Sequence, residues 1–131
     1  MNNPITVEHI GLAAKDTTRL KDWYVQKLGA EILFQMPQNP PAYLVRLGGM
    51  IIEIYNAAIF DSQMGDNRVG GWRHLALKVD SLAEAKDWLG ARGVEFSEEV
   101  KPAGGGGKVL FFRDAEGNLL HLVERLPGGY H

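Results

Sequence analysis

A chain of 131 residues is the size of one compact domain, long enough to bury a core without staples and too short for a second independent domain. Its 14 lysines and arginines face 16 aspartates and glutamates, a near-neutral balance with no pull toward phosphate backbones or anionic membranes, so neither nucleic acid nor membrane is expected as a partner. With no cysteine there is no disulfide framework, no thiolate nucleophile and no thiolate-held metal, and any metal must rest on histidine and carboxylate.

Met1 to Val7 carries no basic-plus-apolar leader pattern, and no apolar run approaches the roughly 20 residues that cross a bilayer, so a soluble, cytoplasmic protein is expected. The first extended run is Ile5 to Ala14. Lys15-Asp16-Thr17 offers caps for a helix from Thr17 to Leu28, with Leu20, Trp23, Tyr24 and Leu28 near one face and Gly29 as its left-handed stop. Strands are expected at Ala30 to Met36, Tyr43 to Leu47 and Met50 to Asn56, separated by the break Pro37 to Pro41 and the tight turn Gly48-Gly49. Ala57 to Gly71, rich in Gly, Asp and Asn, reads as a linker. The same order then recurs. Trp72 to Asp80 is a strand, Ser81 with Glu84 suggests a capping box, and Gly93 ends the helix that follows. Val94 to Glu99 is the next expected strand, Ala103 to Gly107 a mobile glycine loop, Lys108 to Arg113 a strand, and Asp114 to Gly117 a turn into Asn118 to Glu124.

The expectation is an α+β fold of two βαβββ modules, residues 5–56 and 72–125, joined by linker 57–71 into one domain and paired as a cupped mixed sheet with helices outside. Residue identities repeat as well as elements. Lys21-Asp22-Trp23 returns as Lys86-Asp87-Trp88 at an offset of 65, and His74 follows His9 at the same offset. Glu53 in Met50 to Ile54 corresponds to His121 in Asn118 to Leu122, 68 residues on.

Strand parity isolates four polar side chains, because alternate residues point to opposite faces. Ile10, Leu12 and Ala14 suit a helix-packing face and leave His9 on the other; Leu75, Leu77 and Val79 do the same for His74. Ile52 and Ile54 oppose Glu53, and Leu120 and Leu122 oppose His121. Glu124 has the parity of Leu120 and Leu122 and is set aside as a terminal or surface residue. A lone strand histidine is ordinarily a hydrogen-bonded structural residue, but here three of the four histidines occupy duplicated positions. The remaining one, His131, is the final residue and is expected to be solvated. If equivalent positions meet near a pseudo-twofold axis, His9, Glu53, His74 and His121 form one site. Three imidazoles and a carboxylate suit one divalent transition metal, Zn, Ni, Fe, Mn or Co, and leave two octahedral positions open; all-oxygen Ca²⁺ or Mg²⁺ sites need no histidine.

At these residues the chain resembles the vicinal oxygen chelate superfamily, which includes glyoxalase I, methylmalonyl-CoA epimerase, fosfomycin-modifying enzymes, extradiol dioxygenases and bleomycin-resistance proteins. The resemblance is carried by His9-Ile10-Gly11-Leu12, Trp23-Tyr24, Leu28-Gly29, Ile51-Ile52-Glu53-Ile54, His74 to Asp80 and Phe112 to Asn118, and spans nearly the whole chain. It implies a divalent metal held by His9, Glu53, His74 and His121, and a homodimer. The enzymes it resembles usually have glutamate where this chain has His121, and the first-strand arginine of glutathione-using members aligns with Ala13, which argues against glutathione.

The leading expectation is a glyoxalase-like lyase or isomerase that moves a proton beside a carbonyl of a small oxygenated substrate, with Glu53 as base, ligand, or both in turn. An extradiol-type dioxygenase using Fe²⁺ is the enzymatic alternative. A non-catalytic protein that sequesters an antibiotic or other small toxic molecule is the alternative of a different class. Substrate contacts are expected from Arg46, which a two-residue turn would set opposite Ile51 on the Glu53 face, from Tyr55 of the same parity, and from Lys108 after the glycine run. That run lacks the strand-to-helix setting of a phosphate loop, and Trp23 and Trp88 are expected in the core.

Overall fold

The structure, a computed structural model, describes residues 3–61 and 65–128. The chain runs β1 (Ile10–Ala14), α1 (Thr17–Leu28), β2 (Glu31–Met36), β3 (Ala42–Leu47), β4 (Met50–Asn56), β5 (His74–Lys78), α2 (Leu82–Gly90), β6 (Lys101–Pro102), β7 (Lys108–Arg113) and β8 (Leu119–Glu124). It divides into two compact units, Met1–Phe60 and Asp61–His131, with the boundary inside the expected linker. Each unit carries one βαβββ module and closes its own four-stranded mixed sheet.

In unit 1 the sheet order is β1-β4-β3-β2, with β1 parallel to β4 and the other pairs antiparallel. Asp16 caps α1 by accepting from the Arg19 N–H, and Gly29 ends the helix at φ 72°, a left-handed conformation that costs glycine nothing. Thr17, Leu20 and Tyr24 form the buried stripe at helical spacing, and α1 packs on β3, β4 and β1, whose Val45, Ile52, Ile54 and Ala14 are likewise buried. A two-residue turn with Gly48 at φ 59° sets Leu47 opposite Met50 and so determines which residues of β3 and β4 share a face.

Unit 2 repeats the plan as β5-β8-β7-β6, with β5 parallel to β8. Ser81 caps α2 by accepting from the Glu84 N–H at 3.2 Å. A second cap comes from β8: Glu124 Oε1 accepts from the Leu82 N–H at 2.8 Å, placing a carboxylate at the positive end of the helix. The turn into β8 is held by the buried Asp114, whose Oδ1 accepts from the N–H groups of Glu116 and Asn118 and from Asn118 Nδ2.

Several boundaries differ from the sequence expectation. The first strand begins at Ile10 rather than Ile5, and Ile5 and Val7 are 76% and 85% exposed; among the described residues their alternation finds no ladder partner, since β1 meets β4 only from Ile52 onward. β5 likewise begins at His74, not Trp72. α2 stops at Gly90, and Gly93 at φ 88° lets the Val94 N–H return to the Leu89 carbonyl. Among the described residues Val94 to Glu99 has no ladder partner. It keeps a period-two burial pattern, with Phe96 edge-on to Phe112, but Ser97-Glu98-Glu99 suit a strand poorly and pairing begins only at Lys101. The glycine run is a clamped turn rather than a free loop: the Ala103 N–H bonds the Gly107 carbonyl, and Arg125 Nη1 donates to the carbonyls of Gly104 and Gly106. A side chain at Gly107 would run into the Glu124 carbonyl. Trp23 is half-buried against Tyr24, whereas Trp88 is outside the core, with the Arg92 guanidinium over its ring.

Candidate metal centre

Two registers create two pairs of donors. In unit 1, β1 against β4 sets Gly11 beside Glu53, and β3 against β4 sets Leu44 on its other side. Ile52 and Ile54 turn into the core, so Glu53 projects from the opposite face. His9 stands one residue before β1, and its Nε2 is 3.9 Å from Glu53 Oε1. Both side chains are about one third exposed. In unit 2, β5 against β8 sets Ala76 beside His121, and β7 sets Phe111 on its other side. Gly11–Glu53–Leu44 and Ala76–His121–Phe111 are therefore the same register drawn twice, as a duplicated module requires. The imidazoles of His74 and His121 lie 4.7 Å apart, and the Phe111 ring packs against both.

The environments of the pairs differ. His121 is 6% exposed, and burial lowers its pKa, assisted by the positive fields of His74 and Arg125 and opposed by its bond to the Leu122 carbonyl. At neutral pH its ring is uncharged and keeps a lone pair.

All three imidazoles meet an oxygen at Nδ1: Glu8 Oε1 at 2.8 Å for His9, Asn67 Oδ1 at 2.8 Å for His74, and the Leu122 carbonyl at 3.2 Å for His121. These oxygens accept from an Nδ1–H, which selects the tautomer with its lone pair on Nε2. That is the arrangement by which outer oxygens orient metal-ligating histidines. The donor chemistry thus fits a divalent transition metal. Among the described residues the donors gather as pairs, and no group of three or more is placed so that it could hold a metal ion.

The expected substrate contacts divide. Arg46 is opposite Ile51 on the Glu53 face, as its register requires, and its Nη1 reaches Glu31 Oε2 at 3.5 Å across the β2–β3 edge. Tyr55 leans over Gly11 beside Glu53; a Cβ added at Gly11 would lie 3.1 Å from Tyr55 Cε1, so the ring uses the space glycine leaves. Lys108 is not brought to His121. It pairs with Glu124 across β7–β8, on the α2 side of the sheet, with Nζ 3.8 Å from Glu124 Oε2. Glu124, set aside on parity, is a helix cap on that same side. His131 lies outside the described residues.

Glu8 and Asn67 are the participants that sequence reasoning missed. Glu8 could have been noticed as the carboxylate adjoining His9. Asn67 sits in the presumed linker, near Gly65, within unit 2: Arg113 Nη1 donates to the carbonyls of Gly65 and Gly117, and Asn67 meets His74 seven residues on. Nothing in its local pattern distinguishes it from a solvated loop residue.

The chain is similar to proteins of one family. Residues 6–122 match the family model described as Glyoxalase/Bleomycin resistance protein/Dioxygenase superfamily. The chain is 29% identical to a lactoylglutathione lyase of Escherichia coli O157:H7, covering 92% of this chain and 93% of that protein. It is 27% identical to the human mitochondrial methylmalonyl-CoA epimerase, over 90% of this chain and 73% of that protein. Among solved structures, a glyoxalase family protein from Enterococcus faecalis superposes with a TM-score of 0.72 at 29% identity, covering 91% of this chain and 97% of that one.

Proposed function

Since this chain belongs to the Glyoxalase/Bleomycin resistance protein/Dioxygenase superfamily, we propose that it is a divalent-metal-dependent lyase or isomerase that moves a proton beside a carbonyl of a small oxygenated substrate. It acts in the cytoplasm as a homodimer, with His9, Glu53, His74 and His121 as metal ligands. The observation that carries this reading is the duplicated register, which gives each module a donor pair, with Nδ1 of His9, His74 and His121 each held by an oxygen so that Nε2 is the nitrogen left to ligate.

His9, Glu53, His74 and His121 would hold a divalent cation, which when bound would supply Lewis acidity toward negative charge developing on the substrate. The chain supplies the rest. Glu53 is the carboxylate of the set, partly open to a ligand, and takes the proton from the carbon beside the carbonyl and returns it to the neighbouring atom. His9, held by Glu8, fixes the direction of approach to Glu53. His121, which burial keeps uncharged, and His74, packed with it against Phe111, are the donors of the second module. Tyr55 and Arg46 line the Glu53 face and contact the substrate.

Metal content tests the assignment. Protein purified without added metal is expected to carry one transition-metal ion per site, with most of it lost in both His9→Ala and His74→Ala. Full metal content in both variants would refute the ligand set.

A further inference from the structure

Unit 2 carries a cation where the duplicated scaffold of unit 1 has none. Lys101 pairs with Val109 across β6–β7, and Phe111, two residues along β7, pairs with His121. Paired residues and alternate residues share a sheet face, so Lys101 stands on the face of His74 and His121. Its Nζ lies 5.4 Å from the centre of the Phe111 ring, which is itself 4.8 Å from the His121 ring. The position of the same register in unit 1 is Met36, opposite Ala42, two residues along β3 from the Leu44 that faces Glu53. A methionine there shows that the sheet itself does not require a charge.

The present partner of Lys101 indicates what it can hold. Glu98 Oε1 accepts from Nζ at 2.6 Å, with both side chains substantially exposed. An ammonium has three donors, and an exposed ion pair of this kind is held only weakly, so an entering carboxylate can join or displace Glu98 at small cost. The neighbouring arginines hold backbone instead: Arg113 donates to the carbonyls of Gly65 and Gly117, and Arg125 to those of Gly104 and Gly106.

Building on the metal-dependent reading above, we propose that Lys101, laid over Phe111 beside His74 and His121, is a specificity-determining residue that anchors the carboxylate of the substrate. The site is thereby selective for small carbonyl compounds that carry a carboxylate beyond their reacting carbons. The ordinary role of an edge-strand lysine, discouraging strand pairing, would make no distinction between charged and neutral ligands.

The test compares two chelators with the same head, acetohydroxamate and the monohydroxamate of succinic acid, which adds a carboxylate tail. Binding is read from the visible spectrum of the Co²⁺-loaded protein. The tailed probe is expected to bind about tenfold more tightly to the unsubstituted protein, a difference abolished in Lys101→Met and largely kept in Lys101→Arg. No preference in the unsubstituted protein, or an equal preference in Lys101→Met, would overturn the proposal. If neither hydroxamate alters the spectrum, it is the metal reading that fails, and NMR of the metal-free protein decides the anion site separately. There a saturable shift of the Lys101 side-chain signals is expected with succinate and none with succinamide; equal responses to both would overturn the assignment.

Discussion

Unit 1 and unit 2 draw the same strand register, yet unit 1 offers an imidazole with a carboxylate, both partly open to solvent, while unit 2 offers two imidazoles, one buried against Phe111. Gly11 gives the Tyr55 ring its place beside Glu53, and at the equivalent positions unit 2 has Ala76 and Val123. Duplication therefore preserved the backbone positions from which donors project and let the chemistry at each diverge. In the function proposed above, a carboxylate that changes protonation has to meet the substrate, which suits the open pair. A donor that must stay uncharged gains from burial, which favours the neutral imidazole.

The contrast can be broken most severely at Glu53. Glu53→Gln keeps the shape of the side chain and removes its capacity to take a proton. Turnover of the true substrate is expected to fall by about 10²-fold or more, with the thermal unfolding midpoint nearly unchanged. Undiminished turnover would remove Glu53 from the role of base. A second test sets burial against exposure. In metal-free protein His121→Ala should lower unfolding stability by about 2 kcal/mol, because it empties a filled space between His74 and Phe111, while His9→Ala should cost less than about 0.5 kcal/mol. Equal costs in urea unfolding would contradict the asymmetry. The smallest effect is expected at Arg46. Its pairing with Glu31 joins two exposed side chains, so Arg46→Ala should change stability by less than about 0.5 kcal/mol, and any larger effect should appear in KM.

Much of this was legible from the chain. The α+β class, both helices and the order of the two modules followed from alternation, helix stops and the offset shared by Lys21-Asp22-Trp23 and His9. Parity correctly put Glu53 and His121 on the face away from Ile52, Ile54, Leu120 and Leu122, and turned Glu124 to the other side. It also foresaw Arg46 opposite Ile51. Lys108 follows the glycine run, yet its own parity matches that of Leu110 and Phe112 and turns it to the α2 side. Trp88 was misjudged because a duplicated identity was read as a duplicated environment, and α2 buries only Leu82 and Leu89.

By itself the amino-acid sequence determined the two modules and the polar residues that interrupt their apolar faces, because side-chain periodicity is a local property written into every short window of the chain. Tertiary structure alone decided where the ladders begin and end: β1 at Ile10, so that His9 approaches Glu53 from outside the strand, and β6 at Lys101, so that a lysine overlies Phe111. A strand's partner is chosen by residues far away in the chain, and alternation of apolar side chains reads the same whether or not the backbone beside it is paired. Asn67 reached His74 for the same reason, through a fold-back that no local pattern of the linker encodes.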